Sequence, residues 1–146
     1  MKIAIGSDHA GFDVKEELKQ TLAGKNHELV DVGTNSTESC DYPDYAHKVA
    51  RAVAAGEVDR GILICGTGIG MCMTANRLPG VRAALVTDAF TSEMSRLHNN
   101  ANVFCAGARV LSLDMIEDCL SLWLKTAYEG GRHDRRVGKM ESPTGG

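Results

Sequence analysis

A cysteine followed by alternate glycines is the part of the chain where chemistry is most strongly indicated. The apolar run 60–65, RGILIC, ends at Cys65, and Gly66, Gly68 and Gly70 follow at once. Glycines let backbone N–H groups approach an anion closely, and a thiolate can act as a nucleophile or a general base. The pattern predicts either a thiol that faces a bound ligand or a tight strand–helix turn with a buried cysteine.

The glycine loop does not match three common phosphate-binding motifs. A dinucleotide-binding loop follows the first strand of its unit, whereas this loop follows the third predicted strand. A P-loop ends in Gly-Lys-Ser or Gly-Lys-Thr, which is absent here. A cysteine phosphatase would have an arginine six residues after the thiol, where this chain has Met71.

Two pairs of polar residues lie where other predicted elements end. Asp8 and His9 follow the first predicted strand, where an Asp-His pair can cap a helix or bind a sugar hydroxyl or a phosphate. His98 and Asn99 lie at the end of a predicted helix, where a histidine commonly interacts with the helix dipole. Residue type alone does not choose between the structural and the functional interpretation.

The segment GGRHDRR, residues 130–136, is the strongest cluster of positive charge. Arg132 and Arg136 are four residues apart, so a helix would place them on one face. Because arginine forks match the oxygens of a phosphate, the cluster predicts a phosphate clamp. A solvated basic tail is the alternative.

The composition is that of a globular protein, with no sign of a nucleic-acid or membrane partner. The chain has 146 residues, of which 43% are hydrophobic and 24% charged, with a formal net charge of -3. A duplex-binding protein normally carries a basic face, and no apolar run approaches the roughly 20 residues that span a bilayer. The first apolar run is too short for a secretory signal, so we expect a cytoplasmic protein. The five cysteines show neither paired nor zinc-finger spacing, which predicts no disulfide framework and no metal site.

Strand-like and helix-like segments alternate five times along the chain. This alternation predicts an α/β fold in which helices cover both faces of a parallel sheet, with ligands beyond the carboxyl ends of the strands. Thr91 is the predicted cap of the fourth helix. The predicted strands are 2–5, 27–33, 60–65, 81–88 and 102–110; the predicted helices are 10–24, 44–57, 71–78, 91–100 and 112–130; the inward stripe of the last helix is Met115, Ile116, Cys119, Leu120 and Trp123; and 141–146 is predicted to be loose.

These motifs together resemble the ribose-5-phosphate isomerase B family, which includes the galactose-6-phosphate isomerase subunits. The segments that carry the resemblance follow one another in order from residue 3 to about 137. They are IGSDHAG, DVGT, DYPDYA, GILICGTGIG, AAL, HNNAN, GARV and YEGGRHDRRV.

The resemblance implies a Rossmann-like three-layer sandwich around a five-stranded parallel sheet. It also implies one isomerase domain over 1–146, acting as a homodimer or dimer of dimers with active sites shared between subunits. Residues 131–146 would pack on the partner subunit. The implied reaction interconverts ribose 5-phosphate and ribulose 5-phosphate through a cis-enediolate, with no metal and no cofactor.

The roles of the family's site residues carry over to matching positions. Cys65 is similar in position to the base that moves a proton between C2 and C1, and Thr67 to a group that stabilises the enediolate oxygen. His98 and Asp8 match the residues that open the furanose ring. The other matches contact the substrate: Tyr42 and Asn99 line the sugar, Gly66, Gly68, Ile69 and Gly70 form the glycine loop, and His9, Arg109, Arg132 and Arg136 hold the phosphate.

Some residues depart from the family pattern and leave alternatives open. Cys72 is a second thiol on the following helix, where core packing is the simple interpretation, and Arg77 replaces a common lysine. Some relatives use a carboxylate from that helix as the base, but Met71 and Cys72 occupy those positions here. A hexose 6-phosphate of the galactose or allose type is an alternative substrate. A non-catalytic phosphate or nucleotide sensor is an alternative function.

Overall fold

The computed structural model describes residues 1–142 and contains a parallel sheet of five strands in the order β2-β1-β3-β5-β4. This confirms the predicted α/β fold class. The strands are β1 Lys2–Ser7, β2 Glu28–Gly33, β3 Arg60–Cys65, β4 Ala83–Leu85 and β5 Val103–Gly107. The helices are α1 Phe12–Ala23, α2 Tyr42–Ala54, α3 Ile69–Ala75, α4 Ala89–Leu97, α5 Leu113–Lys125 and α6 Asp134–Glu141, with a 3₁₀ turn at Gly131–His133.

Two apolar clusters, one on each face of the sheet, make the fold three-layered. Successive residues of a strand point to opposite faces. Ile62 and Ile64 of β3 accordingly belong to the cluster under α1 and α5, while Leu63 and Cys65 belong to the cluster under α2 and α3. The Cys65 side chain therefore lies on the same face as α3, the helix that follows it.

The strand order places a topological switch between β1 and β3. From β1 the chain moves outward to β2, then returns to β3 on the other side of β1. In doubly wound sheets this is where a crevice opens beyond the carboxyl ends of the strands. Asp8 and Cys65 stand at these two neighbouring strand ends, so the fold brings the first strand–helix loop beside the glycine loop.

Several predicted boundaries were wrong by a few residues. Strand β4, at one edge of the sheet, is only three residues long and pairs with β5 through Ala83, Ala84 and Leu85. Thr91 is not the cap of α4: Asp88 is, and its carboxylate accepts the Thr91 N–H in a capping box. Met115 is 41% exposed and does not belong to the inward stripe of α5. The other predicted stripe residues are buried: Ile116, Cys119, Leu120 and Trp123.

The region after α5 is more ordered than the sequence suggested. Helix α5 ends at Lys125 rather than near 130, and the predicted tail forms the 3₁₀ turn and α6. Glu141, the last residue of α6, pairs with Arg82 at the start of β4. The loose end predicted for 141–146 therefore begins in a helix, and residues 143–146 lie outside the described residues. Among residues 1–142, no helix is both long and apolar enough to cross a bilayer.

A buried ion pair joins α1 to the end of β2. The side chain of Lys15 is fully buried, and its Nζ donates to both carboxylate oxygens of Asp31 at 2.8 and 2.9 Å. Burial alone raises the pKa of Asp31, but the hydrogen bonds from Lys15 and Lys19 outweigh it and hold that pKa below its ordinary value. Asp31 Oδ1 also accepts the Gly33 N–H at 2.9 Å, so the pair fixes the turn that leaves β2.

We predict that Asp31→Asn lowers the free energy of unfolding by about 2 kcal/mol, because it removes the main partner of a buried ammonium group. Urea denaturation at pH 7 measures this loss. The control is Glu28→Gln, because Glu28 forms an exposed 3.8 Å pair with Lys2 and should change stability by less than about 0.5 kcal/mol.

The stability difference between the wild type and Asp31→Asn depends on pH in a defined direction. Folding lowers the pKa of Asp31, so as the pH falls the unfolded chain takes up the proton first. The difference should be complete above the ordinary carboxyl pKa of about 4 and should narrow below it. A difference that stays constant down to pH 2 would show that Asp31 acts through shape rather than charge.

Candidate active site

Cys65 ends β3 with its sulfur turned toward the glycine loop. The side chain is only 4% exposed, and Sγ accepts the Gly68 N–H at 3.1 Å. Hydrogen bonds from backbone amides stabilise negative charge on an acceptor. The thiol is therefore shielded from bulk water but has a backbone donor that suits a thiolate.

Close packing against β5 fixes the glycine loop. Gly68 has a positive φ of 80°, and a Cβ there would lie 2.7 Å from Leu85 Cδ1 and 2.8 Å from the Ala106 carbonyl carbon. A Cβ on Gly107 would lie 2.6 Å from the Thr67 carbonyl carbon. Backbone bonds from Ala108 and Arg109 to the carbonyls of Cys65 and Gly66 complete this contact. Main-chain contacts thus hold the loop rigidly, and they leave no room for a side chain at Gly68 or Gly107.

Some loop donors predicted for the substrate are already used within the loop. Gly68 N donates to Cys65 Sγ, and Ile69 N donates to Thr67 Oγ1 at 3.2 Å. Thr67 is exposed and its hydroxyl hydrogen can turn outward, because its oxygen acts as the acceptor in this bond. An oxyanion would therefore be held by the Thr67 hydroxyl and other loop amides rather than by Gly68 or Ile69.

Asp8 and His9 lie in the neighbouring loop after β1. Asp8 is 7% exposed, and its Oδ1 accepts the N–H groups of Ala10 and Gly11, which hold the turn into α1. His9 Nδ1 accepts the Cys40 N–H at 3.2 Å. Because Nδ1 is the acceptor, Nε2 of the neutral ring carries the hydrogen and can donate to a phosphate oxygen. Asp8 thus stabilises this turn but does not cap α1, whose N-cap is Gly11 and has no side-chain cap bond.

Tyr42 and Arg109 lie at the two ends of the glycine loop. A Cβ on Gly70 would lie 2.6 Å from Tyr42 Cζ, so the phenol ring packs directly on Gly70. A Cβ on Gly66 would lie 3.4 Å from Arg109 Nη1, so the guanidinium lies beside Gly66. A phenol and a guanidinium on either side of the loop can bind sugar hydroxyls and a phosphate, respectively.

Two other thiols lie behind the loop, on the same face of the sheet as Cys65. A hydrogen bond with Cys105 lowers the pKa of Cys72, while the same bond and full burial raise the pKa of Cys105 well above its ordinary value. Cys72 packs against the apolar cluster that contains Cys105. This agrees with the packing interpretation of Cys72.

The structure divides the candidate residues between the two edges of the sheet. The carboxyl-edge group consists of Asp8, His9, Tyr42, Cys65, Gly66, Thr67, Gly68, Ile69, Gly70 and Arg109. The amino-edge group consists of His98, Asn99, Arg132 and Arg136, which follow helices that run back from the carboxyl edge.

Backbone contacts place the amino-edge group beside the starts of β3 and β4. Asn102, three residues after Asn99, donates its N–H to the Arg82 carbonyl, and its own carbonyl accepts the Gly61 N–H. A six-residue strand such as β3 is about 20 Å long. Within one chain His98 and Cys65 are therefore too far apart to act on one small sugar, and the structure does not bring them together.

His98 has two neighbours that the sequence analysis did not assign to a site. Its ring stacks on His133 with centroids 4.3 Å apart, and its Nε2 lies 3.9 Å from Glu129 Oε2. The same Oε2 lies 3.5 Å from His133 Nε2. The i, i+4 spacing of Glu129 and His133 within YEGGRH was the available signal, but the turn that brings both to His98 is not visible in the sequence.

A cavity of about 550 Å³ lies at the amino edge beside β4 rather than at Cys65. Arg77, Arg82 and Met140 are among the residues that line it. Asn99 is the candidate site residue in its lining. The side chain of Cys65, which is 4% exposed, does not line this cavity.

Known proteins are similar to this chain in both sequence and fold. The family model described as Ribose/Galactose Isomerase matches residues 3–140. Ribose-5-phosphate isomerase B of Escherichia coli strain K12 is 48% identical over 136 residues, which are 93% of this chain and 91% of that protein.

Solved structures of ribose-5-phosphate isomerase B proteins are similar to this chain in fold. Ribose-5-phosphate isomerase B of Clostridium thermocellum has a TM-score of 0.97 at 49% identity, covering 99% of this chain and 97% of that one. A Mycoplasma genitalium ribose-5-phosphate isomerase B with bound ribulose-5-phosphate has a TM-score of 0.95 at 41% identity, covering 98% and 95%. The chain therefore belongs to the ribose/galactose isomerase family.

Proposed function

We propose that the protein interconverts ribose 5-phosphate and ribulose 5-phosphate, with Cys65 as the base. The observation that carries this proposal is the Cys65 sulfur, which accepts an amide N–H at the head of a rigid glycine loop. The loop lies at the switch point of the sheet in a chain of the ribose/galactose isomerase family. Proton abstraction beside a carbonyl needs such a base next to donors for the developing oxyanion.

The first chemical step opens the furanose ring. Asp8 takes the proton of the C1 hydroxyl, the C1–O4 bond breaks, and its electron pair goes to O4, which takes a proton from His98. C1 and O1 are then an aldehyde, and the sugar is an open chain. The arginines hold the phosphate, so that binding energy from a non-reacting group positions C1 and C2.

The second step moves hydrogen between adjacent carbons. The Cys65 thiolate removes the proton from C2, a double bond forms between C1 and C2, and O1 takes the negative charge. The Thr67 hydroxyl and the loop amides stabilise this enediolate. A proton passes from O2 to O1, Cys65 returns its proton to C1, and the ketose carbonyl stands at C2.

The two edges of the sheet come together when two copies of the chain pair. We propose a homodimer or dimer of dimers in which the amino-edge group of one copy covers the carboxyl-edge group of the other. The two groups are complementary in role, because one holds the base and the other holds His98 and two arginines. The predicted packing of 131–146 on a partner, the cytoplasmic location and the single domain over 1–146 stay predictions.

A direct assay separates this function from its alternatives. The protein, dialysed against a chelator, is incubated with ribose 5-phosphate and with galactose and allose 6-phosphates, and kcat/KM is compared. The proposal requires ketose formation, with the highest kcat/KM for the pentose. A higher value for a hexose would reassign the substrate, and phosphate-dependent thermal stabilisation without any turnover would indicate a sensor.

We predict that Cys65→Ala lowers kcat at least about a hundredfold, because a general base contributes roughly that much or more. The melting temperature should stay close to that of the wild type. The matched control is Cys72→Ala, which removes a half-buried thiol from the following helix and should keep kcat within about threefold. Retained turnover in Cys65→Ala would show that Cys65 is not the base. A large loss of kcat in Cys72→Ala would indicate that Cys72 is the base instead.

We predict that Gly68→Ala lowers activity about a hundredfold, because its Cβ would displace the loop that orients Cys65. Gly80→Ala is the control: Gly80 has a similar φ of 84°, but a Cβ there meets nothing within 4 Å. Alanine at a positive φ costs about 1–2 kcal/mol of backbone strain. Urea denaturation should therefore show a lower free energy of unfolding in both variants. Equal activity in the two variants would mean that loop geometry does not control the chemistry.

A further inference from the structure

A single carboxylate oxygen lies beside the imidazoles of His98 and His133. Glu129 Oε2 is 3.9 Å from His98 Nε2 and 3.5 Å from His133 Nε2. The two rings are stacked, with an interplanar angle of 18°. His133 is 6% exposed, and within residues 1–142 its Nε2 has no hydrogen-bond partner. Glu129 is thus a carboxylate close to this buried nitrogen, at a distance longer than an ordinary hydrogen bond.

The backbone holds Glu129 firmly at the end of α4. Its N–H donates to the Leu97 carbonyl at 3.1 Å, one residue before His98. The next turn is closed by the His133 N–H, which donates to the Gly130 carbonyl, and by the Tyr128 hydroxyl, which donates to Asp134 at 2.8 Å. The backbone of Glu129 is therefore anchored at the same point of the fold as His98.

A metal ion fits this cluster poorly. The candidate ligand atoms of His98, Glu129 and His133 all lie within 4.8 Å of one another. However, the nitrogen lone pairs of imidazoles lie in the ring planes, and two stacked planes 18° apart with centroids 4.3 Å apart share no point close to both rings. The arrangement suits a carboxylate that holds a stacked pair of rings in place.

We propose that Glu129 is a positioning residue for furanose ring opening: with His133 it fixes the orientation of the His98 imidazole. This inference rests on the proposed isomerase function, in which His98 gives a proton to O4 as the C1–O4 bond breaks. The side chain of His98 is 36% exposed. Stacking on His133 restrains one face of the ring, and the carboxylate lies 3.9 Å from its Nε2. The proposed role is that these two neighbours limit the orientations of the ring before the reaction begins.

Glu129 acts on ring opening and not on proton transfer at carbon, so substrates without a ring should be unaffected by its loss. The compound 4-deoxyribose 5-phosphate lacks O4 and cannot close the furanose ring. Exchange of the C1 hydrogens of ribulose 5-phosphate with solvent deuterium also bypasses the ring, because it needs only the base and the enediolate donors.

The experiment compares Glu129→Gln with the wild type on these substrates. We expect kcat on ribose 5-phosphate to fall about tenfold at nearly unchanged KM, a part of the full contribution of an acid catalyst. Turnover of 4-deoxyribose 5-phosphate and deuterium exchange into ribulose 5-phosphate should change less than twofold. The matched control is Glu141→Gln, which removes a carboxylate that pairs with Arg82 and should leave all three rates within twofold.

Each outcome bears on a defined claim. Equal losses on the ring-closed and the open-chain substrates, or no loss on ribose 5-phosphate, overturn the role of Glu129. A loss accompanied by a large fall in melting temperature, and equalled in Glu141→Gln, also overturns it, because the effect would then come from the folding of the C-terminal segment. If the wild type does not convert ribose 5-phosphate, the proposed function itself fails.

Discussion

The direction of the crossover helices in a parallel sheet is the constraint on which this site depends. Each helix leaves the carboxyl edge and returns the chain to the amino edge before the next strand begins. Residues after strands, such as Cys65, and residues after helices, such as His98, are therefore fixed at opposite edges. No loop rearrangement within one chain removes a separation set by the length of the strands. A site that uses both groups requires a second copy.

Position rather than residue type distinguishes Cys65 from the other thiols. Cys105 lies on the neighbouring strand β5, two residues before Gly107, yet it is fully buried and its pKa is raised well above the ordinary value. Cys65 stands where β3 ends, and main-chain contact of Thr67 with Gly107 and of Gly68 with Ala106 holds an amide against its sulfur. Glycine is thus required at 68 and 107 because only glycine lets the loop pack closely enough on β5 to place the Gly68 N–H against the Cys65 sulfur.

The sequence predicts an element of structure best where one physical effect, such as burial, determines its residue pattern. Strand β3 was predicted at its observed bounds, because a segment buried on both faces reads as continuous apolar sequence. Edge strand β4 was overestimated, because its short ladder is not encoded by hydrophobicity. Lys15 gave no signal of burial, since its partner Asp31 is 16 residues away. The candidate site residues were predicted from motifs. Their division between the two edges of the sheet, and the position of Glu129 beside His98, depend on topology and on a turn that the sequence does not reveal.

Mixing two inactive variants tests the shared site most directly. Cys65→Ala and His98→Asn subunits, co-expressed with different tags, form mixed dimers in which one site keeps Cys65 from one chain and His98 from the other. Half of randomly formed dimers are mixed and each has one intact site of two, so about a quarter of wild-type activity should return. Purified mixed dimers no more active than the parent variants would contradict the shared site.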